Sequence, residues 1–317
     1  MRTIVALVLL TAAAALPASA SADVIVSADP SAANVSAYAG AVAWSQKEPA
    51  GGYRLMAQVG GTVSALSIPS SRIEFNPDLG PHGGAVVAVY QRCGGPCGTY
   101  EYSFSSGQER KLPSLYARGC HVVGLSAWRG TLAFVRRGDH CRRRGLFVRL
   151  PGHRIHRLRG IAPVWYDFDT DTDGRVVLFA NPADSRIRSI PLHGGRGHKL
   201  FHDGAESGDV DVFLRSPTID GRYAYWFDVE EGEHGNTADL YRALRRSGRG
   251  CRRDERDFAA ITPPPPITIP TDDLPISPDS LAVDRGTVYY ARYGVFRADP
   301  APAFAKHSEC VVAAFGK

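Results

Sequence analysis

The sequence has 317 residues, of which 44% are hydrophobic and 22% charged, with 33 glycines, 22 prolines and six cysteines. This composition is that of an ordinary globular protein and excludes a disordered chain, a collagen or a coiled coil. The formal net charge of +5 is small for a chain of this size, which argues against a dedicated nucleic-acid-binding protein.

Residues 1–22 have the pattern of a secretory signal peptide. Arg2 supplies the positive start, residues 4–16 the apolar stretch, and Ala18-Ser19-Ala20 or Ala20-Ser21-Ala22 the small-residue cleavage site. After these residues no apolar run is long enough to cross a bilayer. We therefore predict that residues 23–317 form a secreted, extracytoplasmic domain without a membrane span.

A repeat of about 45 residues runs through this domain. A glycine turn followed by a run of strand-forming residues recurs at intervals of 44, 46, 44, 47 and 65 residues, at Gly40, Gly84, Gly130, Gly174, Gly221 and Gly286. Each unit holds short runs rich in Val, Tyr, Phe and Thr, bounded by Gly, Pro and Asp, which is typical of strands and turns. Glycine suits tight hairpins because it tolerates a positive φ.

Four-stranded units of this length, arranged radially, form a β-propeller, in which each sheet relies on its neighbours to cover both faces. The length favours six blades, near residues 30–75, 76–118, 119–160, 161–205, 206–270 and 271–317. Seven blades are the alternative, if the two ends of the domain hide a degenerate unit; otherwise the two ends meet in one blade and close the ring. Residues 237–246 have leucines four apart, as in a helix, but are interpreted as a strand by comparison with the other units.

Two units come closest to a known repeat pattern. Asp171-Thr172-Asp173-Gly174-Arg175-Val176 and Thr218-Ile219-Asp220-Gly221-Arg222-Tyr223 each place Asp-Gly before a strand, and Asp239-Leu240-Tyr241 matches the second strand of the pattern. Through these residues the chain resembles the TolB-like, or WD40-like (PD40), propeller repeat family. The resemblance implies a propeller fold and a binding role, and no shared reaction.

Two charged loops are predicted at one end of the propeller. If the strands of each blade run a to d from the axis outward, the glycine turns are a–b hairpins and the polar b–c loops lie at the opposite end. The third b–c loop (136–145) is basic and the fifth (230–238) is acidic, and loops on a rigid scaffold commonly carry function. The alternative is that both are solvated tips that keep the protein soluble. The candidate ligand-binding residues are Arg136, Arg137, Arg142, Arg143, Glu230, Glu231, Glu233 and Tyr166, the last of which offers a surface for stacking on a sugar.

The segment 169–174 reads Asp-Thr-Asp-Thr-Asp-Gly, the start of a calcium-binding loop. Asp169, Asp171 and Asp173 alternate, Asp167 extends the alternation, and Ca²⁺ prefers such oxygen ligands. An EF-hand is excluded because its twelfth position would be Ala180. Calcium is therefore a hypothesis beside the simpler interpretation of an Asp-Gly hairpin, and no other cofactor is predicted. A second cluster, His193, His198, His202 and Asp203, is interpreted as surface side chains rather than as a metal site.

The six cysteines allow fifteen pairings, and the sequence does not decide among them. The pairing with the shortest reach on the propeller is Cys93–Cys97, Cys120–Cys141 and Cys251–Cys310. Zinc is disfavoured because a structural site requires four ligands. Structural disulfides agree with an exported protein.

No local signature of an enzyme is present, since Gly124-Leu125-Ser126-Ala127-Trp128 lacks the final glycine of a nucleophile elbow. The sequence favours a secreted, monomeric binding or scaffold module that recognises a protein or a cell-envelope polymer over the propeller axis. The alternative is an extracellular hydrolase or lyase that acts on glycans in the central funnel, because such sites assemble from several blades. Carboxylates converging from three or more blades would favour the enzyme.

Overall fold

A computed structural model of the protein describes residues 23–159, 169–181, 186–195, 197–202, 210–232, 235–258, 280–299 and 301–309. The described strands form six antiparallel sheets. Within these residues no helix has the length and hydropathy needed to cross a membrane.

The strands are numbered in chain order from β1 (Val24–Ser27). Blade 1 has β2 (Ala33–Tyr38), β3 (Ala41–Lys47), β4 (Tyr53–Val59) and β5 (Thr62–Ala65). Blade 2 has β6 (Asp78–His82), β7 (Ala85–Cys93), β8 (Cys97–Ser103) and β9 (Gln108–Lys111). Blade 3 has β10 (His121–Trp128), β11 (Thr131–Arg137), β12 (Gly145–Arg149) and β13 (His156–Arg157).

Blades 4 to 6 contain the remaining strands. Blade 4 has β14 (Thr170–Thr172), β15 (Val176–Asn181), β16 (Arg186–Pro191) and β17 (His198–His202). Blade 5 has β18 (Val210–Asp220), β19 (Tyr223–Gly232), β20 (Gly235–Leu244) and β21 (Arg252–Asp257). Blade 6 has β22 (Ser280–Asp284), β23 (Thr287–Ala291) and β24 (Val295–Arg297), and the last strand along the chain is β25 (Phe304–Glu309).

The first strands of the six blades form a closed inner ring. Each contacts the first strand of the next blade, and β22 contacts β2 to complete the circle. The prediction of a six-bladed propeller is therefore confirmed. The predicted glycine turns lie between the first and second strands of each blade.

The hydrophobic core is divided into six clusters, one between each pair of neighbouring blades. Each second strand contributes at least one large, fully buried aromatic side chain; these are Trp44, Tyr90, Phe134, Phe179, Trp226, Phe227 and Tyr290. The second strands are buried on both faces because a blade lies on either side, which explains why every residue of β11 except the last is buried. A single sheet could not exclude water from these side chains without the neighbouring blades.

Ring closure differs in one respect from the prediction. The N-terminal strand β1 pairs with β24 and is the outermost strand of blade 6, as expected for a ring closed by one end of the domain. The C-terminal strand β25 instead pairs with β21 as a fifth strand of blade 5. Because β1 already occupies the edge of blade 6, β25 covers the neighbouring exposed edge, where unpaired backbone groups need partners.

The prediction of a loop over residues 230–238 is wrong in its extent. The strand pairing continues to the end of β19 and resumes at the start of β20, so that Glu230 pairs with Thr237 and Gly232 with Gly235. Only residues 233–234 separate the two strands. The strand interpretation of residues 237–246 is confirmed over most of its length, because β20 ends at Leu244.

Two of the predicted disulfides are present among the described residues. Cys93–Cys97 joins the ends of β7 and β8, and Cys120–Cys141 joins the start of blade 3 to its b–c loop. Cys251 is also disulfide-bonded, and its predicted partner, Cys310, lies outside the described residues.

Candidate functional site

A cavity of about 610 Å³ lies on the propeller axis. It is lined by the inner strands of all six blades, within residues 34–39, 76–79, 124–131, 169–175, 216–221 and 280–285, and by Arg245. These segments include the a–b turns, whereas no b–c loop residue of the described chain is part of the lining. The axial cavity therefore reaches the end of the ring opposite to the charged loops predicted from the sequence.

Inner strands of alternate blades carry a β-bulge in the cavity wall. The pairing with the second strand shifts at the same place in blades 1, 3 and 5, and a residue of positive φ lies in each shift, namely Asn34 (56°), Gly124 (52°) and Ser216 (50°). All three line the axial cavity. A bulge turns the following side chains to a new direction and is frequent beside binding sites.

Two positions after each residue of positive φ, a Ser or Thr side chain forms a hydrogen bond with blade 2 or blade 4. Ser36 Oγ accepts the Leu79 amide at 2.9 Å, and Ser126 Oγ lies 3.1 Å from Thr170 Oγ1. Thr218 Oγ1 donates to an Asp171 carboxylate oxygen at 3.2 Å. The bulges thus direct these hydroxyl groups towards the inner strand of a neighbouring blade, and the hydrogen bonds connect the two strands.

One wall of the cavity is aromatic. Tyr38 of blade 1 and Trp128 of blade 3 meet edge to face with ring centroids 5.4 Å apart. Trp128 also lies against the a–b turn of blade 4, where a Cβ on Gly174 would be 2.7 Å from the indole ring and where φ is +77°. Glycine is therefore required at this turn both by its backbone conformation and by the space that Trp128 occupies.

The carboxylates around the axis bond to the backbone of the next blade. Asp78 accepts the Ala127 amide at 2.5 Å, and Asp171 accepts the Ile219 amide at 2.5 Å. At the a–b turns the same arrangement recurs, with Asp220 accepting the Gly286 amide and Asp284 the Gly40 amide, each at 2.7 Å. Carboxylates from four blades thus converge on the axis, and one oxygen of each is used to join two blades.

Two of these carboxyls have raised pKa values. Burial raises the pKa of Asp171 to about 6, against the opposing effect of the hydrogen bonds that it accepts from Ile219, Thr172 and Thr218. Burial also raises the pKa of Asp78 well above its usual range, and the negative charge of Asp171 adds to the rise. Both residues are partly buried and line the cavity.

Arginines surround the mouth of the cavity at the a–b turns. Arg129, Arg175 and Arg285 are exposed, and within the described part of the chain none of the three forms an ion pair. Arg245 is instead held inside, with Nη2 2.6 Å from Asp173 and a second hydrogen bond to the Gly221 carbonyl. Among the described residues, the mouth of the cavity therefore has three guanidinium groups without an ion pair, whereas the carboxylates of the lining already accept hydrogen bonds.

The basic residues predicted in the third b–c loop lie outside the axial cavity and differ among themselves. Arg136 is buried: its Nε donates to the Leu115 carbonyl at 2.8 Å, and its guanidinium lies over Phe134 and Phe147. Arg137 is half-buried, whereas Arg142 and Arg143 are exposed. Arg136 is thus a structural residue, and the exposed pair remains available for a ligand.

The other predicted binding residues are only partly described. Glu230 and Glu231 lie on β19, while Glu233, Tyr166 and Asp167 are outside the described residues. Their role in binding stays a prediction.

The three described aspartates of the calcium hypothesis have other partners. Asp169 accepts from the amide and hydroxyl of Ser216, and Asp171 bonds to the next blade. Asp173 caps its own turn and pairs with Arg245. In the described ranges no group of three His, Cys, Asp or Glu side chains is close enough to hold a metal ion, and this includes His193 and His198.

Calcium binding is tested directly by thermal unfolding. Because the oxygens of Asp169, Asp171 and Asp173 already accept hydrogen bonds, we expect the same Tm in millimolar calcium and in a chelator. A ligand that binds the folded state raises Tm by mass action. A rise of several degrees in calcium, reversed by the chelator, would contradict this expectation and support the calcium hypothesis.

Several cavity residues were not predicted from the sequence, among them Tyr38, Trp128, Asp78 and Asp284. A signal for three of them exists in the repeat. Tyr38, Trp128 and Asp284 each stand two residues before the glycine of an a–b turn, at the place where the inner strand reaches the mouth of the cavity. Aligning the six units on their glycines would have identified this position, but not which of its residues face each other.

No model of a known protein family matches the chain, and the search of curated proteins found none similar to it in sequence. Among solved structures, TolB from Acinetobacter baumannii is similar with a TM-score of 0.52 and 14% identity, over 83% of this chain and 65% of TolB. A nidogen/laminin complex has a TM-score of 0.48 and 12% identity, over 76% of this chain and 82% of the other. A puromycin-hydrolysing peptidase of Mycobacterium tuberculosis has a TM-score of 0.48 and 13% identity, over 82% of this chain and 48% of its own.

At these identities the similarity shows the propeller fold alone. It agrees with the fold implied by the repeat, while the TolB-like repeat family itself is not matched by a family model. The chain spans less than two thirds of the length of TolB.

Proposed function

We propose that the protein is an extracytoplasmic binding propeller whose axial cavity takes an acidic group of a cell-envelope polymer or of a protein. The observation that carries the proposal is the chemistry of the cavity mouth. The exposed guanidinium groups of Arg129, Arg175 and Arg285 stand around it, and arginine binds carboxylate or phosphate through paired hydrogen bonds.

A sugar whose acidic group lies at the mouth fits this cavity better than a simple anion does, because the six aspartates of the lining repel negative charge placed deeper. The edge-to-face pair of Tyr38 and Trp128 provides an apolar wall on which a sugar ring can lie, and about 610 Å³ is within the usual size of a ligand pocket. Disulfides at Cys93–Cys97 and Cys120–Cys141 support a location outside the reducing cytosol.

Binding is favoured over catalysis because the axial carboxylates are engaged. Asp78, Asp171, Asp220 and Asp284 each accept a backbone amide of the next blade, so moving any of them would disturb the inner ring. A general acid or base must instead approach the substrate with a free oxygen.

Two observations support the alternative of a glycan-cleaving enzyme. Carboxylates from four blades converge on the axis, which is the arrangement expected of an enzyme in the central funnel. Asp171 has a pKa of about 6, and a carboxyl that remains protonated at such a pH is suited to donate a proton to a leaving group. Asp78 has a raised pKa in the same cavity. This second candidate function therefore depends on whether the remaining oxygens of this pair reach a bound glycan.

Binding is tested with a double variant at the mouth. Replacing Arg175 and Arg285 by glutamine should weaken the affinity for a trimer of galacturonate at least tenfold, since a hydrogen bond to a charged group contributes about 1.5–3 kcal/mol. The matched control replaces Arg72 and Arg297, which are equally exposed and lie outside the cavity, with the same loss of charge. Titration calorimetry on the full chain measures both, with neutral maltotriose as the uncharged probe.

Equal weakening by the two double variants, or equal binding of the neutral probe, would overturn the axial site. Chromatography of the same galacturonate trimer after incubation distinguishes the second candidate. Shorter products that disappear with Asp171→Asn would establish catalysis.

A further inference from the structure

The charge of this protein is concentrated in the third blade. Residues 118–159 contain eleven arginines, no lysine and a single acidic residue, Asp139, which gives a formal charge of +10. Since the whole chain carries +5, all other segments together carry −5. The small net charge of the sequence therefore hides a strongly basic blade.

Five exposed arginines of this blade lie at its b–c end. They are Arg118, Arg142, Arg143, Arg157 and Arg159, called here the basic end. Cys120–Cys141 holds the segment that follows Arg118 beside the loop that carries Arg142 and Arg143. Arg157 reaches the same place, because its Nε lies 2.7 Å from where a Cβ on Gly145 would stand.

Counter-charge is scarce at the basic end, where Asp139 is the one acidic residue of the blade within the described residues. None of its five arginines forms an ion pair there, and the adjoining b–c loop of blade 2, residues 94–96, is Gly-Gly-Pro. Like charges gathered without a partner repel each other and lower stability. A bound polyanion would remove this repulsion.

The b–c loop that carries Arg142 and Arg143 is held by several contacts of its own. The Arg144 guanidinium donates to the Asp139 carbonyl at 2.8 Å and to the Cys141 carbonyl at 3.2 Å, and a Cβ on Gly119 would be 2.6 Å from the His140 carbonyl oxygen. Together with the Cys120–Cys141 disulfide, these contacts fix the positions of the flanking arginines. A preformed site loses less conformational entropy on binding than a flexible one.

The surroundings of the basic end indicate the class of partner. The exposed large hydrophobic residues of the described chain, Val24, Val59, Val63 and Ile73, all lie outside blade 3. The described part of the basic end therefore offers none of the apolar anchors that protein interfaces and membrane insertion require. Among the described residues it also has no exposed aromatic platform for stacking single-stranded bases, since the ring of Tyr116 is half-buried and its hydroxyl bonds to Gln91.

We infer that the basic end of blade 3 is a second binding surface, which holds an acidic polysaccharide through its carboxylate or sulfate groups. Guanidinium groups pair with such groups in a bidentate manner and tolerate variation along the polymer. The two disulfides of the described residues favour an extracellular polymer over nucleic acid as the polyanion. This surface lies at the opposite end of the ring from the axial cavity and does not depend on it.

The inference is tested by the affinity of the full chain for heparin and for polygalacturonate. Replacing Arg118, Arg142 and Arg143 by glutamine should weaken binding of both at least tenfold at 150 mM salt. It should also reduce the slope of log K against log salt by about two to three, because each ionic contact releases about one counterion. The control variant replaces Arg72, Arg246 and Arg297, which are exposed arginines of other blades.

A wild-type affinity in the triple variant, or equal losses in the control, would overturn the inference. Tighter binding of random double-stranded DNA than of either polysaccharide would also overturn it, in favour of nucleic acid. If the triple variant fails to fold, Arg143→Gln alone should still lower the salt slope by about one, and an unchanged slope would count against the basic end. The Arg175/Arg285 variant should keep its heparin affinity whether or not the axial proposal holds, because these two arginines lie at the other end of the ring.

Discussion

Replacing Asp23 by alanine should lower the free energy of unfolding by about 3 kcal/mol, because two buried donors lose their acceptor. Asp23 precedes β1, the strand that closes the ring, and is itself buried. Its carboxylate accepts the Tyr290 hydroxyl at 2.6 Å and the Asp299 amide at 2.9 Å, both in blade 6. Arg256 of blade 5 lies 3.5 Å away, so that one side chain joins the closing strand to two blades.

Urea and thermal unfolding of the variant measure this loss. Asp139→Ala is the matched control, because it removes an aspartate whose side chain is exposed and should change stability by less than about 0.5 kcal/mol. Asp23→Asn keeps one acceptor oxygen and should fall between the two. If Asp23→Ala unfolds at the same urea concentration as the control, β1 is not held by this carboxylate.

Lowering the pH from 7 towards 5 should stabilise the protein through Asp171. Its pKa is about 6 in the folded state and 3.8 for the free side chain, so the folded state binds more protons in this range. The contribution of Asp171 is therefore fully present below about pH 4 and is lost as the pH rises through 6. Because the side chain is partly exposed to the cavity, we expect an effect on the order of 1–2 kcal/mol.

The test compares wild type with Asp171→Asn by urea unfolding at several pH values between 4 and 8. Asparagine keeps an oxygen for the Ile219 amide but does not titrate, so the variant should gain stability relative to wild type at pH 7 and lose this advantage near pH 5. The raised pKa of Asp78 acts in the same sense, and removal of the Asp171 charge also relaxes it. A constant difference between variant and wild type across the range would contradict the assignment.

The repeat was the most informative feature of the sequence. Each a–b turn is a local event, in which a glycine such as Gly174 adopts a positive φ between two strand-forming runs. Its spacing therefore predicted both the hairpins and the number of blades. The disulfides Cys93–Cys97 and Cys120–Cys141 were predicted from the same register, because both join positions at one end of a single blade.

The candidate site was predicted less well, because it is built across blades. Asp171 stood out in the sequence as part of an alternating acidic segment, yet the structure shows its carboxylate bonded to the Ile219 amide 48 residues later. Arg136 belonged to a basic run, but it is buried over aromatic rings, unlike Arg143, which is exposed. Both outcomes depend on partners that are distant along the chain, namely Ile219 for Asp171 and the Leu115 carbonyl for Arg136.

By itself the sequence determined the all-β class, the glycine hairpins and the six units, since turn chemistry and strand propensity act over a few residues. Only the tertiary structure decided which residues surround the axis, that the cavity reaches the a–b turns, that β25 joins blade 5, and that the unpaired arginines of blade 3 share one end. These features arise when six sheets shield one another in a closed ring. Contacts between neighbouring blades, such as those of Ser36, Asp78 and Asp171, join residues that are 43 to 49 positions apart, so no local sequence pattern identifies the partners.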